Sequence, residues 1–344
     1  MVEYNPYAYE IHEDPYPVYR ALREQAPVYR NHELNFWALS RYDDVQSILR
    51  DPLRFSNAHG VTIDPLPDPE AAASVMSFLA MDPPRHTRMR ALVSRVFTPR
   101  RVAQLEPSIR ALATRYLDRF VTQGSCDFIQ DFSARLPMDV ISEMLGVPDA
   151  DRDLLRRWAD LVVHREEGRP EIPPAGMQAS ANMLRYFAEL VTDRQKHARD
   201  DLTAALLGAE IDGDRLMPKE VIAFLFLMIV AGNETTTKLL GNAIYWLWKN
   251  PDQRAKLRET PEPIERWIEE TLRYDPSTQA LARTVTCDVE IRGEKLREGD
   301  RLLMLIGSAN RDERAFEDPD RFDIERNTTP MLSFGQGTHF CLGA

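Results

Sequence analysis

A mostly helical fold with a small β-sheet portion is what this sequence predicts, and three observations predict it. Many segments repeat apolar residues three and four positions apart, the spacing of one helix face. One stretch, Pro218 to Asn250, reads as a single helix of unusual length. Strand signals are confined to short runs, and the richest lie late in the chain.

In chain order, short strand signals come first, at Val28–Tyr29 and Phe36–Leu39. Helical periodicity then marks Asp43–Arg50, His86–Val96, Val102–Phe120, Leu136–Leu145, Asp151–Val163 and Met177–Ala198. The Pro-rich stretches Pro65 to Pro69 and Pro170 to Pro174 read as surface loops. Pro218 suits the first turn of the long helix, and Asn250-Pro251 stops it. At 1.5 Å per residue it runs roughly 50 Å. It is apolar nearly all round on both sides of its centre, so burial is expected. Another helix is expected from about Pro263 to Tyr274, ended by Asp275-Pro276. Thr284–Ile291 carries β-branched residues, Arg292-Gly293-Glu294 can turn it, and Arg301–Ile306 can return. No internal repeat or low-complexity linker interrupts the chain, so a single domain over residues 1–344 is expected.

Hydrophobic residues make up 43% and charged residues 28%, an ordinary globular balance. A chain of 344 residues can bury a core and still enclose a cofactor. The net charge of -11 argues against a nucleic-acid partner. The three cysteines, Cys126, Cys287 and Cys341, are odd in number and far apart. That argues against a disulfide framework and for a reducing, cytoplasmic setting. The N-terminus is polar, aromatic and acidic, which fits neither a signal peptide nor a membrane anchor. The longest apolar run, Val221 to Ala231, is too short to span a bilayer.

Four constellations carry chemistry. The first is Phe334-Gly335-Gln336-Gly337-Thr338-His339-Phe340-Cys341-Leu342-Gly343. A lone cysteine is most often an inert core thiol. Two glycines ahead of it permit a tight loop and close approach to a ligand. Amides donating to the sulfur would favour thiolate, and zinc needs more ligands than His339 and Cys341. The second is Ala231-Gly232-Asn233-Glu234-Thr235-Thr236, at the centre of the long helix. Polar groups buried there cost free energy unless satisfied, and Gly232 costs about 1 kcal/mol relative to Ala. Departures of this kind mark functional sites. The absent side chain of Gly232 makes room beside the helix, the Thr235 hydroxyl can hold oxygen or water, and Glu234 can pass protons through water. The third is Glu270 and Arg273, three apart on one helix face; as a surface pair they would contribute little. The fourth is Asp82-Pro83-Pro84-Arg85-His86-Thr87-Arg88-Met89-Arg90. Its basic residues suit a solvated face, but His86 and Arg90, four apart, can together hold a carboxylate.

The first pattern, F-G-x-G-x-H-x-C-x-G, is met at every fixed position and resembles the haem-ligand signature of the cytochrome P450 family. A-G-x-[DE]-T, E-x-x-R and D-P-P-x-H-x-x-x-R resemble further segments of soluble bacterial members, in the family's order. The resemblance implies the P450 fold, with the long helix over the haem. It implies haem b (iron protoporphyrin IX) as cofactor, Cys341 as axial ligand to the iron, and a thiolate that favours O–O cleavage. The implied cofactor-binding residues are His86, Arg90, Ala231, Gly232, Arg283, Phe334, Gly335, His339, Cys341 and Gly343. Among them His86, Arg90, Arg283 and His339 meet haem propionates, and Phe334 packs beside the sulfur. Glu234 and Thr235 are implied as catalytic, and Glu270 with Arg273 as a structural ion pair. Leu227, Val230, Gln279 and Ala280 are implied to line the substrate pocket, under a variable loop at Val61–Leu79.

The implied activity is a monooxygenase. It inserts one oxygen atom from O2 into an apolar small molecule, such as a steroid, terpenoid, fatty acid or polyketide. Electrons come from NAD(P)H through external partners, a ferredoxin and a ferredoxin reductase. Arg85, Arg88, Arg100 and Arg101 are candidate contacts for an acidic ferredoxin. Two alternatives stand beside this: a peroxide-driven peroxygenase, against which the Glu234-Thr235 pair weighs, and a non-catalytic haem-binding protein or inactive fragment. Members of the family normally continue past the cysteine loop with a long helix and strands, whereas this sequence ends at Ala344, three residues after Cys341. Those C-terminal elements are therefore expected to be absent from this chain, leaving the domain incomplete.

Overall fold

The structure, a computed structural model, describes residues 2–64, 66, 68–166, 169, 171–259 and 264–344. In chain order it contains α1 (Tyr9–Glu13), α2 (Tyr16–Gln25), β1 (Val28–Asn31), β2 (Phe36–Leu39), α3 (Tyr42–Leu49) and β3 (Phe55–Ser56). There follow α4 (Pro69–Met76), α5 (Arg85–Ser94), α6 (Pro99–Ala103), α7 (Glu106–Phe120), α8 (Leu136–Leu145), α9 (Asp149–Val163), α10 (Pro174–Lys196) and α11 (Leu202–Gly208). The hairpin β4 (Glu210–Ile211) and β5 (Asp214–Arg215) precedes α12 (Pro218–Lys249), α13 (Pro251–Glu259) and α14 (Ile264–Tyr274). The chain closes with β6 (Leu281–Val285), β7 (Val289–Ile291), β8 (Glu294–Leu296), β9 (Arg301–Met304) and α15 (Ile306–Ala309). The expected start of α14 at Pro263, and Pro65, Pro67 and Pro170 of the Pro-rich stretches, lie outside the described residues.

The chain divides into two compact units: residues up to 69 with those from 239 on, and residues 70–166 with 171–238. In the first, among the described residues, the largest sheet has the order β1-β2-β9-β6-β3. β2 and β9 run parallel, with Phe36 opposite Arg301. β6 and β9 run antiparallel, with Arg283 opposite Leu302. Side chains alternate across a strand, and β9 uses both faces. Leu302 and Met304 pack with Val45, Ile48, Leu49 and Phe55; Leu303 packs with Tyr4, Tyr19, Leu22 and Phe36. Burial on both faces explains the unbroken apolar run after Arg301.

The strand expected over Thr284–Ile291 is two strands. Arg292 and Gly293, at φ 51° and 85°, turn β7 into β8, the left-handed pair that a tight hairpin needs. The strand returning from that turn is therefore β8, while β9 runs back along β6.

The second unit is helical. Leu155 and Ala159 of α9, Met183 and Phe187 of α10, and Met138, Ile141 and Leu145 of α8 are all buried. The single helix expected over Val102–Phe120 is α6 followed by α7, which begins with Pro107 in its first turn. Proline lacks the N–H that a continuous helix would need there.

The helix α12 falls within one residue of its expected span, but its burial differs from expectation. Val221, Leu225, Ile229 and Asn233, four apart, form a buried stripe. Leu227 and Val230 are half-buried, and Ala231 and Thr235 are exposed. Further on, Ile244, Tyr245 and Trp248 are exposed, Trp248 to 60%. Apolar composition all round did not separate a core face from an open one. By length and composition the whole helix would also suffice to cross a membrane, unlike the shorter run Val221–Ala231. Its middle, however, carries Asn233, Glu234 and Lys238, and an ion pair joins the last two.

Candidate active site

The cysteine loop belongs to the first unit. A short helical turn, Gly337–His339, precedes Cys341, which is exposed. Gly335 and Gly337 both sit at φ 68°. A side chain at Gly337 would begin 2.8 Å from the Leu49 carbonyl oxygen, so glycine lets the loop seat on the end of α3. The Cys341 N–H donates to the Phe334 carbonyl at 2.9 Å and closes the loop. That amide is therefore spent on the backbone rather than on the sulfur. The Phe334 ring meets Phe340 edge-on at 6.4 Å, His339 is half-buried, and a side chain at Gly343 would come within 4.0 Å of the Cys341 sulfur.

Beneath the loop lies the pair Glu270–Arg273. Both side chains are buried, at 0% exposure, not on the surface where the sequence alone allowed them. Their contact is bidentate: Arg273 Nε donates to Glu270 Oε2 at 2.7 Å and Nη2 to Oε1 at 2.8 Å. The remaining donors are used as well. Arg273 Nη1 donates to the carbonyls of Asn310 at 3.0 Å and Pro319 at 2.8 Å. The Asp323 N–H donates to Glu270 Oε1 at 2.9 Å, and Arg326 Nε lies 3.5 Å from the same oxygen. From there the bonds lead to the loop. The Asn310 amide donates to Ser333 Oγ at 2.8 Å, the Leu332 N–H donates to Asn310 Oδ1 at 2.7 Å, and Ser333 Oγ donates to the Leu272 carbonyl at 2.6 Å. Asn310, Ser333 and Arg326 were not found from the sequence. The polar cluster Asn310-Arg311-Asp312 directly after an apolar run was the available signal.

Arg283 on β6 is 4% exposed, and its Nη1 donates to the Ala282 carbonyl at 2.8 Å. The Gln279 amide is bonded within its own unit. It donates to Tyr16 Oη at 3.2 Å, Asp275 Oδ1 at 3.1 Å and the Pro276 carbonyl at 3.0 Å. A side chain at Gly307 would meet Gln279 Oε1 at 2.0 Å, so the amide is packed into its own unit. Ala280 packs at the edge of the sheet core beside Leu303 and Phe36.

In the second unit His86 is 1% exposed. It meets the Phe78 ring edge-on at 5.7 Å, and the Arg90 guanidinium lies 5.9 Å from the same ring. The four-residue spacing thus puts both on one aromatic side chain. Burial, with the nearby Arg90 charge, lowers the His86 pKa to about 4. On α12, Thr235 Oγ1 donates to the Ala231 carbonyl at 2.7 Å and Thr236 Oγ1 to the Gly232 carbonyl at 3.0 Å. Glu234 pairs with Lys238 at 3.0 Å. The room left by Gly232 is filled from within the protein: a side chain there would begin 2.6 Å from Ile141 Cδ1 of α8.

Arg88 is not available to an acidic partner. Its guanidinium donates to both Asp214 carboxylate oxygens, at 2.6 and 2.8 Å, to Glu220 at 2.8 Å and to the Arg215 carbonyl at 2.9 Å. It fastens α5 to the β4–β5 hairpin and the start of α12. Arg85 pairs with Glu70. Arg100 and Arg101 on α6 are exposed.

One loop thus gathers Phe334, Gly335, His339, Cys341 and Gly343, with Glu270 and Arg273 beneath it. One ring gathers His86 and Arg90, and one helical turn carries Ala231 to Thr235. Each group, taken by itself, has the chemistry of a haem contact. Among the described residues no three His, Cys, Asp or Glu side chains converge as a protein-built metal site requires. A single exposed thiol on a tight glycine loop suits an iron whose other ligands arrive with a porphyrin. The buried Arg283 and the half-buried Arg90 are each cationic donors of the kind that suits its carboxylates.

Two outcomes follow from this geometry. Replacing Glu270 by Ala leaves the Arg273 charge buried without its partner, which costs about 3–5 kcal/mol of stability. Denaturant unfolding measures it, and a loss below about 1 kcal/mol would contradict the buried-pair account. His86 has a folded pKa below its unfolded value, so the unfolded chain binds the extra proton. Stability of the haem-free protein is then intact above pH 6.5 and falls as the pH drops toward 4. The loss is on the order of 1–3 kcal/mol. The His86→Gln variant should lack this component when urea midpoints are compared at neutral and mildly acidic pH; an identical pH dependence in the two proteins would contradict it.

Comparison with known proteins accords with this geometry. A sequence profile described as Cytochrome P450 matches residues 176–261 and 264–344. Putative cytochrome P450 123 of Mycobacterium tuberculosis is 53% identical over 341 residues, covering 99% of this chain and 85% of that protein. Substrate-free CYP109E1 of Bacillus megaterium superposes with a TM-score of 0.89 at 33% identity, over 97% of this chain and 87% of the other. The same protein in complex with testosterone gives 0.85 at 34% identity, over 96% and 86%. The helical fold with its small sheets is the fold of these structures. On this evidence the chain belongs to the cytochrome P450 family and is a haem-thiolate monooxygenase that uses O2.

Proposed function

We propose that Cys341 would hold the haem iron through its thiolate and that Glu234 and Thr235 would manage the protons of oxygen activation. The observation that carries this reading is the open stripe Leu227, Ala231 and Thr235 on a helix whose opposite stripe is buried. An apolar helix that leaves such a stripe open, with a hydroxyl and a carboxylate beside it, is suited to face a reacting ligand. Haem, when bound, would supply the activation of O2. Arg90 and Arg283 neutralise the propionates, while His86, neutral near pH 7, and His339 donate hydrogen bonds to them. Phe334, Gly335 and Gly343 shape the loop around the sulfur. The Thr235 hydroxyl donates back to the Ala231 carbonyl, which holds it on the open side of the helix, where a hydroxyl oxygen can accept a hydrogen bond. Glu234, tied to the half-exposed Lys238, exchanges protons with solvent.

The substrate is an apolar small molecule that touches Leu227, Val230 and Ala231 and is covered by residues 61–79. The testosterone complex of the relative makes steroid-sized compounds the first class to try. Electrons come from NAD(P)H through a ferredoxin and its reductase, with Arg100 and Arg101 as the docking cations in place of Arg88. The protein works in the cytoplasm, and residues 1–344 belong to a single catalytic domain.

The test is the fate of electrons in Thr235→Ala and Glu234→Gln, with a steroid as trial substrate. Thr235→Ala should keep consuming NAD(P)H but divert electrons from product to hydrogen peroxide. Glu234→Gln should slow turnover by about 10²-fold. Unchanged coupling in Thr235→Ala together with unchanged turnover in Glu234→Gln would refute the assignment.

A further inference from the structure

Strand β9 is apolar after its first residue, Arg301, and all of its residues are buried. Arg301 itself is 5% exposed. A guanidinium taken out of water is tolerated when its five N–H donors find acceptors. Most of those of Arg301 converge on one short piece of chain. Nε donates to the Thr62 carbonyl at 2.9 Å and to that of Ile63 at 3.2 Å. Nη2 donates to the Gly60 carbonyl at 2.8 Å and also to that of Thr62. Nη1 donates to Thr284 Oγ1 at 2.7 Å. These acceptors are carbonyls and a hydroxyl; Asp64 contributes a favourable charge nearby, and burial still lowers the Arg301 pKa to about 10. The guanidinium makes one bond within the sheet, to Thr284 on β6, and its other bonds go to the carbonyls of residues 60–63.

The same stretch is anchored from other sides. The Ala282 N–H donates to the Val61 carbonyl at 2.8 Å, and the Leu66 N–H to the His59 carbonyl at 3.0 Å. Tyr7 Oη donates to Asp64 Oδ2 at 2.9 Å, and His59 Nδ1 lies 2.9 Å from the Leu66 carbonyl. Gly60, at φ 85°, makes the bend that turns its carbonyl to Arg301.

We infer that Arg301 is a positioning residue for substrate recognition: its guanidinium fixes the path of residues 60–63, and so the course on which the chain enters the segment proposed to cover the substrate. The inference rests on that proposal for residues 61–79. A lysine cannot replace it, because a point ammonium lacks the planar fork that reaches several carbonyls at once.

The test uses the haem-loaded protein and three variants: Arg301→Lys, Thr284→Val and Leu79→Ala. Amide hydrogen exchange is followed at Leu66 and Ala282, and phenylimidazole, an apolar azole that binds haem iron, is titrated by visible absorbance. Arg301→Lys should raise exchange at both amides about tenfold and weaken phenylimidazole binding, with the thiolate-type haem spectrum retained. Unchanged exchange overturns the clamp. Faster exchange with unchanged azole affinity, when Leu79→Ala does alter affinity, overturns its role in recognition. Unchanged affinity in Leu79→Ala as well sinks the covering assignment itself, and the inference with it. If Arg301→Lys does not fold, Thr284→Val decides: it keeps the side-chain shape and removes one acceptor. It should then show both changes in smaller measure, and their absence overturns the clamp.

Discussion

Two full charges buried side by side, on Glu270 and Arg273, set the terms for the half of the molecule that carries Cys341. Such a pair is stable only when every remaining donor and lone pair is satisfied, and that demand recruits distant chain. Carbonyls of Asn310, Pro319 and Arg321 are drawn to Arg273. Asn310 in turn holds Leu332 and Ser333, the residues that lead into the cysteine loop. Glycines at positive φ then let the loop turn sharply enough to present the thiol. The loop that carries Cys341 is thus tied to a buried ion pair and is not freestanding.

A second constraint acts on α12. A helix must bury an apolar stripe, and α12 buries Val221, Leu225 and Ile229. A polar turn in the middle of such a helix is costly unless its groups find partners, and here they find local ones. Thr235 and Thr236 bond back to carbonyls one turn earlier, and Glu234 pairs with Lys238 one turn later. The turn can therefore carry acid and alcohol without unfolding the helix. Gly232 contributes to packing as well, since Ile141 occupies the space beside it.

Much of this was legible in the sequence where the information is local. The helix spans followed from apolar spacing, and the cysteine loop, the His86–Arg90 pair and the Glu234-Thr235 turn are each contiguous or one helical turn apart. What was not legible depends on which segments fold together. Asn310, Ser333 and Arg326 gain their roles from contacts across tens of residues. Arg88 read as a free cation until Asp214 and Glu220 were seen to hold it. The bonds of the Gln279 amide to Asp275 and Tyr16 could not be read from the sequence either. Periodicity gives the faces of a helix but not what covers them, so α12 looked buried all round. Pro107 was visible, yet its power to split one predicted helix into α6 and α7 was not weighed against the apolar pattern. Arg301 heads an apolar strand, and nothing local in the sequence points to its partners at residues 60–63.

The central claim is that Cys341 binds the haem iron as a thiolate. The carbon monoxide difference spectrum of the reduced, haem-loaded protein, recorded beside that of Cys341→Ser, tests it most directly. The account requires the red-shifted Soret band of thiolate ligation in the parent protein and its loss in Cys341→Ser with haem still bound. A parent protein that binds haem without that band, or a Cys341→Ser variant that keeps it, would contradict the account.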